Sequence, residues 1–560
     1  MKNSQKTVCR MTAALIKDYG VRDVIVCPGS RNTPLIMAVN RDPAFMPRTV
    51  VDERSAAFAA LGLSVQTRRP VALICTSGSA VLNMAPAVAE AYYRRVPLIV
   101  ISADRPAAWI DQNDNQTIRQ NGALGNIVLK TIDITDSEQQ QDLWHAQRLL
   151  NDALTAATAK ACGPVHINIH LDVPLTAEAD IPSAETFSRV DTVYPDGVLS
   201  TARARELGLL LAPPRKVMFL IGGLQPSSKI SKALAKLAKI PNIVVMAEAQ
   251  SNVHAEGILH GIDEIILAMT DDQRREFMPD ILVTVGGGFV SHAVKPWLRG
   301  QSSVSHWSVG LSDHIEDTFM RAVMHIDMDP DDFLPQIASA VQPFRNDPKT
   351  YARRLPGFAY TVHKAKEAIP LPWCDLVAVK EIVDVLPSHF NVHVSNGTSA
   401  RYIQLANPSR LHGVFCNRGV SGIEGSTSTA IGASWEFNGP TLLITGDMSA
   451  EYDINALSLP DIRSDFRVVV LSNGGGNIFR YIKNTRDLPE TEDFLAVGNR
   501  VPLRGVVESY GWHYIEVTDR DSLLAALPWL WRKTDSPVLI NVVTDGHTSA
   551  SALNEYLNNN

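Results

Sequence analysis

The chain has 560 residues, too many for one core, so about three or four domains are expected. Hydrophobic residues make up 45% and charged residues 20%, the balance of an ordinary globular protein. The net charge of -7 argues against a nucleic-acid-binding role, which usually shows as a basic excess, and no stretch nears the ~20 apolar residues that span a bilayer.

Residues 1–20, MKNSQKTVCRMTAALIKDYG, read as a short amphipathic helix without the apolar region and cleavage site of a signal peptide. Cys9, Cys27, Cys75, Cys162, Cys374 and Cys416 are scattered and form no CxxC pair. That argues against a zinc knuckle or a disulfide framework and for a reducing cytoplasm. Apolar runs then alternate with helical patterns: VIVC, VALIC, PLIVIS, VMFLIGG, NIVVMAE, ILVTVGGG, TLLITG, RVVVLS and PVLINVV. This alternation predicts α/β layers with doubly wound parallel sheets. At 51–62, VDERSAAFAALG, Asp52 and Glu53 stand at the mouth of a nearly all-apolar helix over 55–65. Such carboxylates either cap the helix or are put to use, since charges are rarely buried unpaired.

An internal repeat organises the chain. Residues 61–80, LGLSVQTRRPVALICTSGSA, align with 431–450, IGASWEFNGPTLLITGDMSA, at an offset of 370 without a gap. Gly62 falls on Gly432, Pro70 on Pro440, and Ser79-Ala80 on Ser449-Ala450. The next strand keeps register, with LIVIS at 98–102 on VVVLS at 468–472. The first and last thirds therefore read as two copies of one α/β unit, and the middle third as a different one. The stretches 172–197 and 341–358, rich in Pro and charge, read as linkers. Domains are expected at 1–180, 198–345 and 365–560. Strand ends in such folds face ligands. Ligand-facing positions are expected around 28–31, 52–54, 76–80 and 103–105 in the first copy. In the second they fall around 395–401, 418–425, 446–449 and 473–477.

The copies differ there. The second has Gly446-Asp447-Met448-Ser449 at one strand end and Ser472 to Asn477, SNGGGN, at the next. Asp447, Asn473 and the carbonyl of Gly475 offer hard oxygens of the kind Mg²⁺ takes alongside phosphate, at about 2.0–2.1 Å. Taken singly, the Asp also reads as a helix cap and the NG as a turn. Together, GDMSAEYDINALSLPDIRSDFRVVVLSN resembles the diphosphate-and-metal motif of thiamine-diphosphate (ThDP) enzymes, with Gly474 where the family often has a second Asn. Enzymes of the ThDP-dependent decarboxylase type have pyrimidine-binding, middle and diphosphate-binding domains, the outer two alike, as the repeat requires. The resemblance implies ThDP and Mg²⁺, with Mn²⁺ as a substitute. It puts Glu53 at the family glutamate that contacts the cofactor's aminopyrimidine, a role that asks for burial and a raised pKa. Ile423, at the offset of 370 from Glu53, resembles the apolar wedge that bends the cofactor. Ser77, Gly78, Gly446, Ile478 and Phe479 are implied as further cofactor contacts. Shared sites in a homodimer or homotetramer are implied too.

The segments CPGSRNTPL, TSGSAVLN, ISADRP, NQTIRQ, NGTSAR and CNRGVSGIEGSTSTA narrow the resemblance. They are similar to the 2-succinyl-5-enolpyruvyl-6-hydroxy-3-cyclohexene-1-carboxylate (SEPHCHC) synthase family of menaquinone biosynthesis. That family decarboxylates 2-oxoglutarate and adds the succinyl carbanion equivalent 1,4 to isochorismate. Both substrates are dianions, which suits bidentate Arg. By resemblance Arg401 and Arg418 take the 2-oxoglutarate-derived part, Ser30, Arg31 and Arg105 face isochorismate, and Gln116 lies near the reacting carbons. For each Arg, and for Arg119, a surface salt bridge is the alternative. The family's middle-domain lysine falls near His292 or Lys295, and Gly397 stands where a serine is found in relatives. An acetolactate-synthase-type enzyme would share Glu53 and Asp447 without needing the arginines. A dinucleotide oxidoreductase would use the strand-end glycines at 221–223 and 285–288, though no G-x-G-x-x-G occurs. A catalytically dead scaffold would not need the intact glutamate and metal pair.

Overall fold

The computed structural model describes residues 2–181, 186–300, 303–312, 314–341, 350–406, 410–411, 413–498 and 502–558. By packing, they form two compact units, one of Met1–Tyr194, Gly419–Asn438 and Tyr452–Phe466, the other of Pro195–Arg418, Gly439–Glu451 and Arg467–Asn560.

All nine apolar runs are strands, in three parallel six-stranded sheets flanked by helices. The first sheet runs Met46–Thr49, Asp23–Val26, Val71–Cys75, Leu98–Asp104, Val165–His170, Lys130–Thr135. The last runs Gly413–Phe415, Asn391–Val394, Thr441–Gly446, Phe466–Ser472, Val538–Val543, His513–Val517. With each sheet's strands numbered along the chain, both read 2-1-3-4-6-5. The repeat seen over some forty residues thus extends to whole sheets. The middle sheet reads 3-2-1-4-5-6, from Ile258–Leu259 through Val217–Ile221 to Ala322–Ile326. Interior strands such as Val71–Cys75, Val217–Ile221 and Ile281–Val285 are buried along their whole length, as parallel strands covered on both faces must be.

The two copies meet within the first unit. Helix Glu53–Thr67 packs on helix Ser426–Ser434, and its residues from Ser55 to Val65 are all buried. A Cβ on Gly62 would lie 1.9 Å from the carbonyl oxygen of Thr429, and one on Gly432 would lie 2.0 Å from that of Ala59. Those contacts interchange under the 370-residue offset, so the crossing is symmetric. Small residues bring the backbones together, which explains why so apolar a helix carries so little bulk. Gly62→Ala or Gly432→Ala is expected to cost at least the ~1–3 kcal/mol of an overpacked core. A lowered melting temperature in either variant checks this, and unchanged melting in both would contradict the crossing.

Three local expectations change. Strand Lys2–Ser4 precedes the N-terminal helix, which spans Thr7–Asp18. That strand pairs antiparallel with Glu178–Asp180, inside the stretch read as the first linker. Most of the second linker's described part is helix Tyr351–Glu367, while 342–349 lie outside the described residues. Tyr351, Leu355, Ala359, Val362 and Lys366 are buried at helical spacing, and that stripe outweighs Pro356. Among the described residues no helix is long and apolar enough to cross a membrane.

Candidate active site

In the first unit, Asp52 is the helix cap and Glu53 is not. Asp52 Oδ1 accepts from the amides of Arg54 at 2.9 Å and Ser55 at 3.3 Å, and Oδ2 accepts from Asn455 at 2.8 Å. Burial opposes its charge, but these bonds outweigh burial and hold the carboxyl below its usual range. Glu53, released from capping, opens the helix half-buried and accepts from the Asn83 amide at 3.1 Å.

Around it lie the other first-copy strand ends. Ser77 is buried, and its hydroxyl has no hydrogen-bond partner among the described residues. The Gly78 amide donates to Gln120 Oε1 at 2.7 Å. Arg31 is buried, with Nη1 on the Leu171 carbonyl at 2.8 Å. Burial lowers its pKa, and the nearby Arg105 cation adds to this. Arg105 reaches Asp114 at 3.3 Å, while its buried Nε has no hydrogen-bond partner among the described residues. Two guanidinium groups so close favour an anion between them. Ser30 and Gln116 are exposed, Gln116 with φ of +53°. Arg119 is exposed and paired with Asp111 at 2.7 Å, the surface salt bridge that was its alternative. Ile423 is half-buried in the loop before Ser426–Ser434. Glu90, which sequence reasoning missed, holds that loop's start through the amides of Gly419 at 2.9 Å and Val420 at 2.7 Å.

In the second unit, Asp447 is 2% exposed. Its Oδ2 accepts from the amides of Gly474 at 3.1 Å and Gly475 at 2.9 Å, and Oδ1 from Met448 at 2.8 Å. Burial nevertheless pushes its carboxyl up to about 6, with Asp375 adding negative charge nearby. Gly475 has φ of +118°, and a Cβ there would lie 2.3 Å from the Val497 carbonyl, so the turn admits only glycine. Asn473 donates Nδ2 to Asp375 at 2.7 Å, which leaves Oδ1 buried and unpartnered among the described residues. Both amide atoms of Asn477 are orphaned in the same way. A buried oxygen without a donor, beside a carboxylate short of compensating charge, fits a divalent cation. Asp375 and Arg480, both missed from sequence, brace this turn. Arg480 donates to the carbonyls of Asn473 at 3.4 Å and Gly474 at 3.1 Å and pairs with Glu492 at 2.8 Å. Ile478 and Phe479 follow, half-buried, on helix Asn477–Tyr481. Gly446 ends the strand just before Asp447.

The same unit gathers cations. Arg401, on helix Ser399–Leu405, keeps Nε and Nη1 buried with no hydrogen-bond partner among the described residues. Its guanidinium lies 5.9 Å from the Tyr481 ring centre. Burial lowers its pKa against the pull of Asp263, and Arg418 lowers it further. Burial, and then Arg401, push His292 down to about 4. His292 is therefore neutral near pH 7. Burial, and then Arg418, lower Lys295 as well. Unpaired buried guanidinium donors are costly unless an anion takes them.

The N-terminal residues 6–123 match the family model described as thiamine pyrophosphate enzyme, N-terminal TPP binding domain. A relative from Porphyromonas gingivalis named SEPHCHC synthase is 36% identical over 97% of this chain and 95% of its own. Relatives of the same name from Bacteroides fragilis and Flavobacterium johnsoniae are 34% identical, over 99% of both chains and 96% of both chains respectively. This chain belongs to the SEPHCHC synthase family. Membership in the SEPHCHC synthase family makes it a ThDP-dependent enzyme and sets aside the acetolactate-synthase-type and oxidoreductase alternatives. The middle sheet has a dinucleotide-fold strand order, yet its glycines are spent on each other. The Gly223 amide donates to the Gly287 carbonyl at 2.8 Å, and a Cβ on Gly222 would lie 2.6 Å from that same oxygen.

Proposed function

We propose that the protein decarboxylates 2-oxoglutarate and adds the succinyl group 1,4 to isochorismate, giving SEPHCHC and CO₂ in menaquinone biosynthesis. ThDP supplies the electron sink for both steps. Residues 1–180 take its pyrimidine, 365–560 its diphosphate, and 198–345 form the middle domain. Glu53 shares a proton with the aminopyrimidine ring, and Ser77, Gly78, Ile423, Gly446, Ile478 and Phe479 line the cofactor. Asp447, Asn473 Oδ1 and the Gly475 carbonyl hold Mg²⁺, or Mn²⁺ in its place. In a homodimer or homotetramer, Glu53 of one chain serves the metal turn of another, which would complete the burial Glu53 lacks alone. Among the described residues the six cysteines form no disulfide, which suits the cytoplasm.

Arg401 carries the substrate reading. A buried guanidinium with two idle donors suits a carboxylate of 2-oxoglutarate, with Arg418 and Lys295 beside it and His292 as a neutral neighbour. Arg31, Arg105, Ser30 and Gln116 face isochorismate. Arg401→Ala should raise KM for 2-oxoglutarate about 10- to 100-fold, the loss expected for a charge-assisted hydrogen bond, and raise that for isochorismate far less. The reverse pattern would overturn the assignment. Protein mixed with ThDP, Mg²⁺, 2-oxoglutarate and isochorismate should yield the adduct by mass spectrometry. CO₂ release without adduct would point to a plain decarboxylase.

A further inference from the structure

Glu248 follows strand Ile243–Ala247 in the middle sheet and is 1% exposed. Both carboxylate oxygens accept from the Val290 amide at 2.8 Å, and Oε1 also accepts from the Ser291 amide at 2.8 Å. The Gln250 side chain donates to Oε2. A buried carboxylate survives only when its oxygens are satisfied, and here a distant loop satisfies them.

That loop aims Arg418. The Gly288 carbonyl accepts from Arg418 Nε at 3.1 Å, and the Phe289 carbonyl from Nη2 at 3.3 Å. Asn396 Oδ1 takes Nη1 at 2.9 Å. Gly288 has φ of +67°, and a Cβ on it would lie 2.6 Å from Arg418 Cβ, so loop and arginine are in direct contact. Three of the five guanidinium N–H groups are thereby fixed, and the other two have no hydrogen-bond partner among the described residues.

A second arm reaches Arg401. Gln250 Oε1 accepts from Gln404 Nε2 at 2.8 Å, and Gln404 Oε1 accepts from the Ala249 amide at 2.8 Å. Gln404 lies three residues after Arg401 on helix Ser399–Leu405. One carboxylate is therefore joined by short hydrogen-bond chains to both arginine-bearing elements, without touching the pocket itself.

We propose that Glu248 is a positioning residue that fixes the placement of Arg401 relative to Arg418, and so the fit of the pocket to a five-carbon 2-oxo diacid. This rests on the reading of that pocket as the 2-oxoglutarate site. The holoenzymes of Glu248→Gln and Gln404→Leu test it by steady-state kinetics, and by calorimetry with glutarate, which fills the pocket without reacting. Each variant should raise KM for 2-oxoglutarate about tenfold and weaken glutarate to match, because guanidinium groups shifted by a fraction of an ångström lose bidentate geometry. kcat should stay within about threefold, and isochorismate KM and ThDP affinity within about twofold, a split that general loosening would not produce. Unchanged KM for 2-oxoglutarate in the variants, with Arg418→Ala raising it, overturns the proposal alone. If Arg418→Ala also leaves it unchanged, the pocket reading fails first. Should Glu248→Gln not fold, Gln404→Leu, at a half-buried position, decides by the same criteria.

Discussion

Glu53→Gln should bind ThDP and Mg²⁺ as the native protein does and lose about 100- to 10,000-fold in turnover. Gln keeps the size and the acceptor oxygen but cannot hold a charge opposite the ring nitrogen. The expected loss is that of a positioned acid–base group. The structure gives Glu53 no capping task, because Asp52 already caps the helix and Asn83 alone among the described residues bonds the Glu53 side chain. The variant should therefore melt near the native temperature. Single-turnover kinetics with saturating cofactor check the prediction, and full activity would remove Glu53 from the mechanism.

Asp447→Ala should weaken Mg²⁺-dependent ThDP binding about 100-fold or more. Two losses add. On the proposed reading the variant deletes an anionic ligand, and it frees the Gly474 and Gly475 amides, which Asp447 Oδ2 pins. The turn bearing Asn473 and the Gly475 carbonyl then loses its anchor, and partners that orient ligands count heavily in metal affinity. Calorimetric titration of ThDP at fixed Mg²⁺ reads the effect, and unchanged affinity would refute the metal assignment.

The two outer sheets were legible because a gapless repeat carries its own register. Their edge strands were not. Met46–Thr49, MPRT, and His513–Val517, HYIEV, are partly exposed and lack the apolar runs of interior strands. The helix over 351–367 was hidden because Pro356 and the paired Arg353 and Arg354 look like a break, while its buried stripe is visible only once a core exists to receive it. In the site, Glu53 and Asp447 could be singled out as candidates because strand ends in this fold face ligands. Glu248, Asp375 and Glu90 could not. Each acts on amides or side chains remote in the chain: Glu248 on Val290, Asp375 on Asn473, Glu90 on Gly419. Nothing local marks a carboxylate whose partners arrive only on folding. Arg119 shows the opposite limit, since its place in a motif did not reveal that Asp111 would pair it in solvent.

A crystal structure of the protein grown with ThDP and Mg²⁺ tests the central claim most directly. The account predicts a Glu53 carboxylate oxygen within hydrogen-bond distance of the aminopyrimidine, with the metal on Asp447, Asn473 Oδ1 and the Gly475 carbonyl. A coenzyme bound with Glu53 turned to bulk water, or a metal held elsewhere, would contradict it.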